Sequence, residues 1–192
     1  MQDPIEAKLL GRVPEHPRAC YLGTYDLGKP RNRIMLRGLR AAGYDVTEVH
    51  REVWGGAEDK SQAGGLLNTF KYPLLLAWGS LITGLRYLVR RPRGPIVVAY
   101  FGHLDLLPAN LLALLLRRPL VFDLFLSMYD TLVLDRRLVA PDSLPARLIR
   151  ALEGWLLRLP DAVICDTGER YLSTPLFEGV EEGSDDAWLA AL

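Results

Sequence analysis

The residues of this 192-residue chain that could do chemistry fall in a few short clusters. The first is Gly23 to Arg33, where Gly23 and Gly28 allow close backbone approach and Lys29, Arg31 and Arg33 surround the start of a helix. Free N–H groups at a helix N-terminus with cations beside them suit a phosphate. The cluster lacks the full G-x-G-x-x-G spacing and is not a P-loop, so a tight strand-to-helix turn with solvated arginines competes with anion binding. The second cluster is Phe101-Gly102-His103-Leu104-Asp105. A histidine that titrates near neutral pH suits deprotonation of a hydroxyl; Asp105 could orient its ring, and Gly102 leaves room beside it. A capping or structural histidine is the competing reading. The third is Ser127 to Arg136, the densest polar stretch, preceded by Asp123 inside an apolar run. A carboxylate there is costly unless paired, and Asp130, Asp135, Arg136 and Arg137 are the neighbours considered for that pairing. A structural polar network and a site for substrate hydroxyls would both use these residues.

The elements that must position these clusters are short and alternate in type. Residues 19–25, 44–50, 95–101, 120–125 and 162–166 read as strands, and 31–42, 66–90, 104–116 and 144–159 as helices. Residues 55–65 form a Gly-rich loop between the second strand and second helix. Alternating β and α elements predict an α/β, Rossmann-like, doubly wound parallel sheet flanked by helices, in a single lobe. Ligands of such sheets bind beyond the carboxyl ends of the strands, which is where every cluster falls, Asp166-Thr167-Gly168 included. The candidate catalytic residues are therefore His103 and Asp130. The candidate substrate-binding residues are Gly23, Gly28, Lys29, Arg33, Gly102, Asp105, Ser127, Tyr129 and Arg136. No spacing resembles a metal site, and no metal is expected.

Composition narrows the class of protein. Hydrophobic residues make up 49% and charged residues 24%, the balance of a globular chain. The net charge is zero, but residues 174–192 hold five acids and no Lys or Arg, so an acidic tail offsets a basic body. The basic residues are dispersed without interleaved aromatics, so nucleic acid is not an expected partner. Cys20 and Cys165 sit in apolar runs and read as buried free thiols of a reducing compartment rather than a disulfide. The N-terminus lacks the pattern of a secretory signal. The longest uncharged apolar run, Tyr72 to Leu85, is shorter than the roughly 18 to 20 residues that span a bilayer. A cytoplasmic protein, peripheral at the inner membrane face at most, is expected.

The segments Tyr21-Leu-Gly-Thr-Tyr25, Val97-Val-Ala-Tyr-Phe-Gly-His-Leu-Asp105, Val121-Phe-Asp-Leu-Phe-Leu-Ser-Met-Tyr-Asp-Thr-Leu-Val-Leu-Asp-Arg136 and Asp161-Ala-Val-Ile-Cys-Asp-Thr167 resemble the N-terminal lobe of GT-B fold glycosyltransferases, particularly the family 4-like group. The resemblance runs from about Ala19 to Tyr171. It implies transfer of a sugar from a nucleotide-sugar to an acceptor hydroxyl without a cofactor or metal, this lobe holding the acceptor. A C-terminal Rossmann lobe, or a partner chain in its place, would hold most of the donor. Many relatives carry a histidine where this chain has Phe125-Leu126, so that role does not transfer, and His103 is the candidate one strand earlier. The domain reading is an extension over 1–18, the acceptor-side lobe over 19–173 and an acidic tail over 174–192. At the two-lobed size of roughly 350 residues or more, the chain is expected to be incomplete as an enzyme. The alternative is a stand-alone, non-catalytic module for an anionic ligand or membrane surface. The basic helix 31–42, and Arg86, Arg90, Arg91 and Arg93 beside Leu74, Leu75, Leu76 and Trp78, would serve such a surface.

Overall fold

The computed structural model describes residues 17–53 and 66–165, the side chains of 66–73 excepted. Its strands are β1 (Arg18–Gly23), β2 (Asp45–His50), β3 (Ile96–Val98), β4 (Leu120–Leu124) and β5 (Ala162–Cys165). Its helices are α1 (Pro30–Ala41), α2 (Leu66–Arg90), α3 (Leu106–Leu116) and α4 (Leu144–Leu156), with a π-helical turn over Asp130–Asp135. The strands form one all-parallel sheet in the order β2-β1-β3-β4-β5. This is the expected Rossmann-like α/β lobe. The strand order reverses between β1 and β3, which puts the crevice that such sheets use for ligands beyond those two carboxyl ends.

Alternation along each strand splits the core in two. Cys20, Leu22, Ile96, Val98, Leu120, Phe122 and Leu124 point to one face and pack under α2, α3 and α4 through Tyr87, Leu106, Ala109, Leu112 and Leu156. Tyr21, Val97, Ala99 and Val121 point to the other and pack against Leu36 and Leu39 of α1. A charged residue in register with the second set faces α1, and Asp123 is that residue.

Element boundaries depart from the sequence reading where the backbone turns sharply. The strand expected over 95–101 stops at Val98, because the Gly102 N–H closes a turn onto the Ala99 carbonyl at 3.0 Å and Phe101 takes a left-handed φ of 71°. A bulky residue in that region is costly and marks a segment held by its surroundings. The helix expected from residue 104 accordingly begins at Leu106. α1 opens with Pro30 in its first turn and ends before Gly43, whose φ of 88° suits glycine. α4 is capped by the Ser143 hydroxyl, which accepts from the Ala146 N–H at 3.3 Å, and it ends at Leu156 rather than running to residue 159.

Cys20 and Cys165 are free. Their strands are three positions apart in the sheet, about 14 Å at the usual strand spacing, too far for a disulfide. Burial pushes the Cys20 thiol up to about 12 and the Cys165 thiol to about 11. No helix among the described residues is long and apolar enough to cross a membrane. The loop at 55–65, the Asp166-Thr167-Gly168 cluster and the acidic tail lie outside the described residues.

Candidate functional site

Because all five strands are parallel, the expected clusters converge on one edge of the sheet, where three buried polar assemblies stand side by side. The first fills the crevice between β1 and β3. The Asp105 carboxylate accepts from the Thr24 N–H (2.8 Å) and Thr24 hydroxyl (2.9 Å) at Oδ2, and from the Ser80 hydroxyl of α2 (2.7 Å) at Oδ1. This carboxylate crowds Gly23, and the Ala99 carbonyl and Val98 side chain crowd Gly102 more closely still. A Cβ at Gly23 would stand 3.1 Å from Asp105 Oδ2, and one at Gly102 3.2 Å from it and 2.7 Å from the Ala99 carbonyl. Burial raises the Asp105 carboxyl above its ordinary range despite three donors. These three residues thus clasp β1, β3 and α2 together, and Asp105 is committed to Thr24 and Ser80.

The orientation of His103 was expected from Asp105, and the structure corrects this. His103 Nε2 lies 3.3 Å from Oε1 of Glu153, at the distance of an ion pair but without hydrogen-bond alignment. The ring packs edge-on against Phe122 and Phe101. Glu153, fully buried on α4, also receives the Ser127 hydroxyl (2.8 Å) and the N–H groups of Met128 (2.5 Å) and Tyr129 (3.0 Å). Burial works against its charge, but His103 and the two N–H donors outweigh it and hold the carboxyl below the ordinary range. One carboxylate therefore holds the turn that follows β4 and stands beside the histidine. Asp130 joins through its N–H, which donates to the Ser127 hydroxyl at 3.1 Å.

The third assembly corrects the pairing expected for Asp123. A partner lies far outside that stretch. It is Arg31, on the first turn of α1, whose Nη2 and Nε donate to Oδ1 at 2.8 and 3.1 Å, with Nε also 3.2 Å from Oδ2. The guanidinium lies over the Phe125 ring at 5.3 Å. Beside it the Tyr21 hydroxyl donates to Asn32 Oδ1 at 3.0 Å. The alternation of β4 dictates this result, since Asp123 shares a face with Val121 and that face belongs to α1.

The remaining expected residues form an exposed rim. Gly28, Lys29 and Arg33 are exposed at the start of α1, and the Gly28 N–H is taken by the Asp26 side chain at 2.7 Å. Arg136 is exposed beyond the π-helical turn and lies within electrostatic reach of Tyr100. Buried polar groups below a basic rim can orient a hydroxyl-bearing or anionic ligand, and no metal-holding group occurs among the described residues. The residues missed by sequence reasoning are Thr24, Ser80 and Glu153. Glu153 carries a legible signal: with Ala146 and Leu156 it occupies the buried stripe of an amphipathic helix, where an acid requires partners.

The sequence matches the glycosyl transferase 4-like domain over residues 30–169, and the chain belongs to that family. It is thus a glycosyl transferase 4-like domain, which supports glycosyl transfer as its general chemistry. A short stretch of 42 residues is 77% identical to O-ureido-L-serine synthase of Streptomyces lavendulae, covering 22% of this chain and 12% of that protein. The chain thus spans about an eighth of that relative's length. No solved structure matches the chain significantly.

Proposed function

We propose that residues 19–173 form the acceptor-side lobe of a glycosyltransferase, flanked by the extension 1–18 and the acidic tail 174–192. It moves a sugar from a nucleotide-sugar to an acceptor hydroxyl, with a second Rossmann-type lobe or partner chain holding most of the donor, and without metal or cofactor. The observation that carries this reading is the His103–Glu153 pair at the carboxyl edge. A base oriented by a buried carboxylate is the arrangement that activates a hydroxyl. His103 is then the general base and Glu153 its positioning residue. Asp130, Ser127 and Tyr129 border the acceptor, and Lys29, Arg33 and Arg136 of the rim meet the donor phosphates. In the assembled two-lobe enzyme, His103→Gln is expected to lower kcat about a hundredfold or more while the protein stays folded. Unchanged kcat in a folded variant removes His103 from the mechanism.

A second reading, a non-catalytic module on an anionic membrane surface, is favoured by the outer face of α2 and α3, where Leu74, Trp78, Leu81, Leu85, Leu111 and Leu114 are exposed. Such a protein is cytoplasmic and peripheral at the inner face. Co-sedimentation with anionic liposomes that weakens with salt supports it; no sedimentation at low salt rules it out.

A further inference from the structure

The opposite edge of the sheet carries its own basic constellation. α2 and α3 run into the same tripeptide, Arg90-Arg91-Pro92 and Arg117-Arg118-Pro119. At each exit one arginine takes left-handed backbone, Arg91 at φ 46° and Arg117 at φ 52°, where glycine would be less strained. Between the exits lies an open groove of ≈ 480 Å³ lined by Leu88, Arg91, Pro92, Arg93, Leu116 and Arg118. It has three cations in its wall and no acid.

Two buried polar atoms there have no hydrogen-bond partner: Arg118 Nε and the hydroxyl of the fully buried Tyr87, which lies within electrostatic reach of Arg118. Arginines near a helix C-terminus are favoured by its dipole. That effect accounts for solvated guanidinium groups, not for one whose Nε is buried without an acceptor, a costly state.

We propose that this groove binds a phosphate group, with Arg91, Arg93 and Arg118 converging on its oxygens. Guanidinium groups match phosphate geometry in pairs. A rotation of the Arg118 head towards a bound oxygen would give its Nε–H the acceptor it lacks. Leu88 and Leu116 supply apolar walls, and the same helices expose Leu85, Val89, Leu114 and Leu115. The ligand class is a phosphate ester with apolar substance next to the phosphate, carried by a lipid headgroup or by a soluble molecule. The proposal is independent of the glycosyl-transfer reading, since the groove lies at the other end of the strands.

The test uses the whole chain labelled with 15N-arginine. Inorganic phosphate is titrated while the arginine Nε–H resonances are followed, and co-sedimentation is measured with phosphatidylcholine vesicles with and without phosphatidylglycerol. The Arg118 resonance is expected to shift saturably. The exposed pair R91A/R93A should weaken phosphate binding about tenfold or more, and R37A, on the other face of the sheet, should not. Vesicle binding that requires phosphatidylglycerol and falls in R91A/R93A assigns the phosphate to lipid. A phosphate response without vesicle binding assigns it to a soluble ligand. No phosphate response, together with vesicle binding that is absent or indifferent to R91A/R93A, overturns the proposal.

Discussion

Replacing Glu153 by alanine removes the acceptor of two backbone N–H groups and one hydroxyl, and the carboxylate beside His103, from a fully buried position. Each buried donor left without an acceptor costs about 1–3 kcal/mol, and breaking a buried charged cluster costs about 3–5 kcal/mol in all. At 2–4 °C per kcal/mol, the melting temperature should fall by roughly 6–20 °C. Glu153→Gln keeps the volume and one acceptor but turns an amide N–H₂ towards donors, so its loss should be about half as large. The sign of the pH dependence follows from the depressed carboxyl of Glu153. Its stabilisation is present above the unfolded-state value of about 4.3 and is lost as pH falls through the lower folded value. Thermal melts of both variants from neutral to acid pH are the assay, and the variants should lose part of the native acid sensitivity. A loss below about 1 kcal/mol for Glu153→Ala at neutral pH would show that the turn after β4 is held by something other than this carboxylate.

Arg31→Met takes the guanidinium from the buried Asp123 carboxylate and should cost about 3–5 kcal/mol; combined with Asp123→Leu the loss should shrink, a coupling that a double-mutant cycle by denaturant unfolding reads directly. Asp105→Asn should be nearly neutral at pH 7, because the Ser80 oxygen, 2.8 Å from the Leu76 carbonyl, can turn its one proton to that carbonyl and accept from the new amide. The raised Asp105 carboxyl gives stability that is full below its unfolded value and lost as pH rises through the folded value, so this variant should flatten that loss in pH-dependent melts. Cys20 is buried and Cys165 half-buried, so Cys20 should react slowly with a thiol reagent at pH 8 in the native protein and fast in urea, with Cys165 between; rapid native labelling of Cys20 would contradict its burial.

Much of this was legible in the sequence, and the reasons are local. Every strand and α-helix among the described residues is marked by its apolar period and by Gly, Pro and Ser stops, so the parallel sheet follows from the alternation. The convergence of His103, Asp105, Ser127 and Asp130 on one edge followed in turn. The partners inside the edge were the illegible part. Asp123 and Arg31 are 92 residues apart, and Thr24 and Asp105 are 81 apart. Only the strand order and the face on which each side chain lands bring them together. Reasoning from near neighbours therefore paired Asp123 with residues 130–137 and His103 with Asp105, while the acid beside His103 lies on α4. The π-helical turn had no signal of its own; the Thr131 hydroxyl donating to the Ser127 carbonyl at 2.8 Å helps to hold it.

The most direct test of the central claim is nucleoside diphosphate release from a nucleotide-sugar in the presence of a hydroxyl acceptor, measured for the lone chain and for the chain joined to a C-terminal lobe of a related enzyme. An acceptor-side lobe predicts negligible turnover alone and a gain of about a hundredfold or more once the donor is held opposite His103. Full-rate transfer by the lone chain, or no gain on supplying the second lobe, would contradict it.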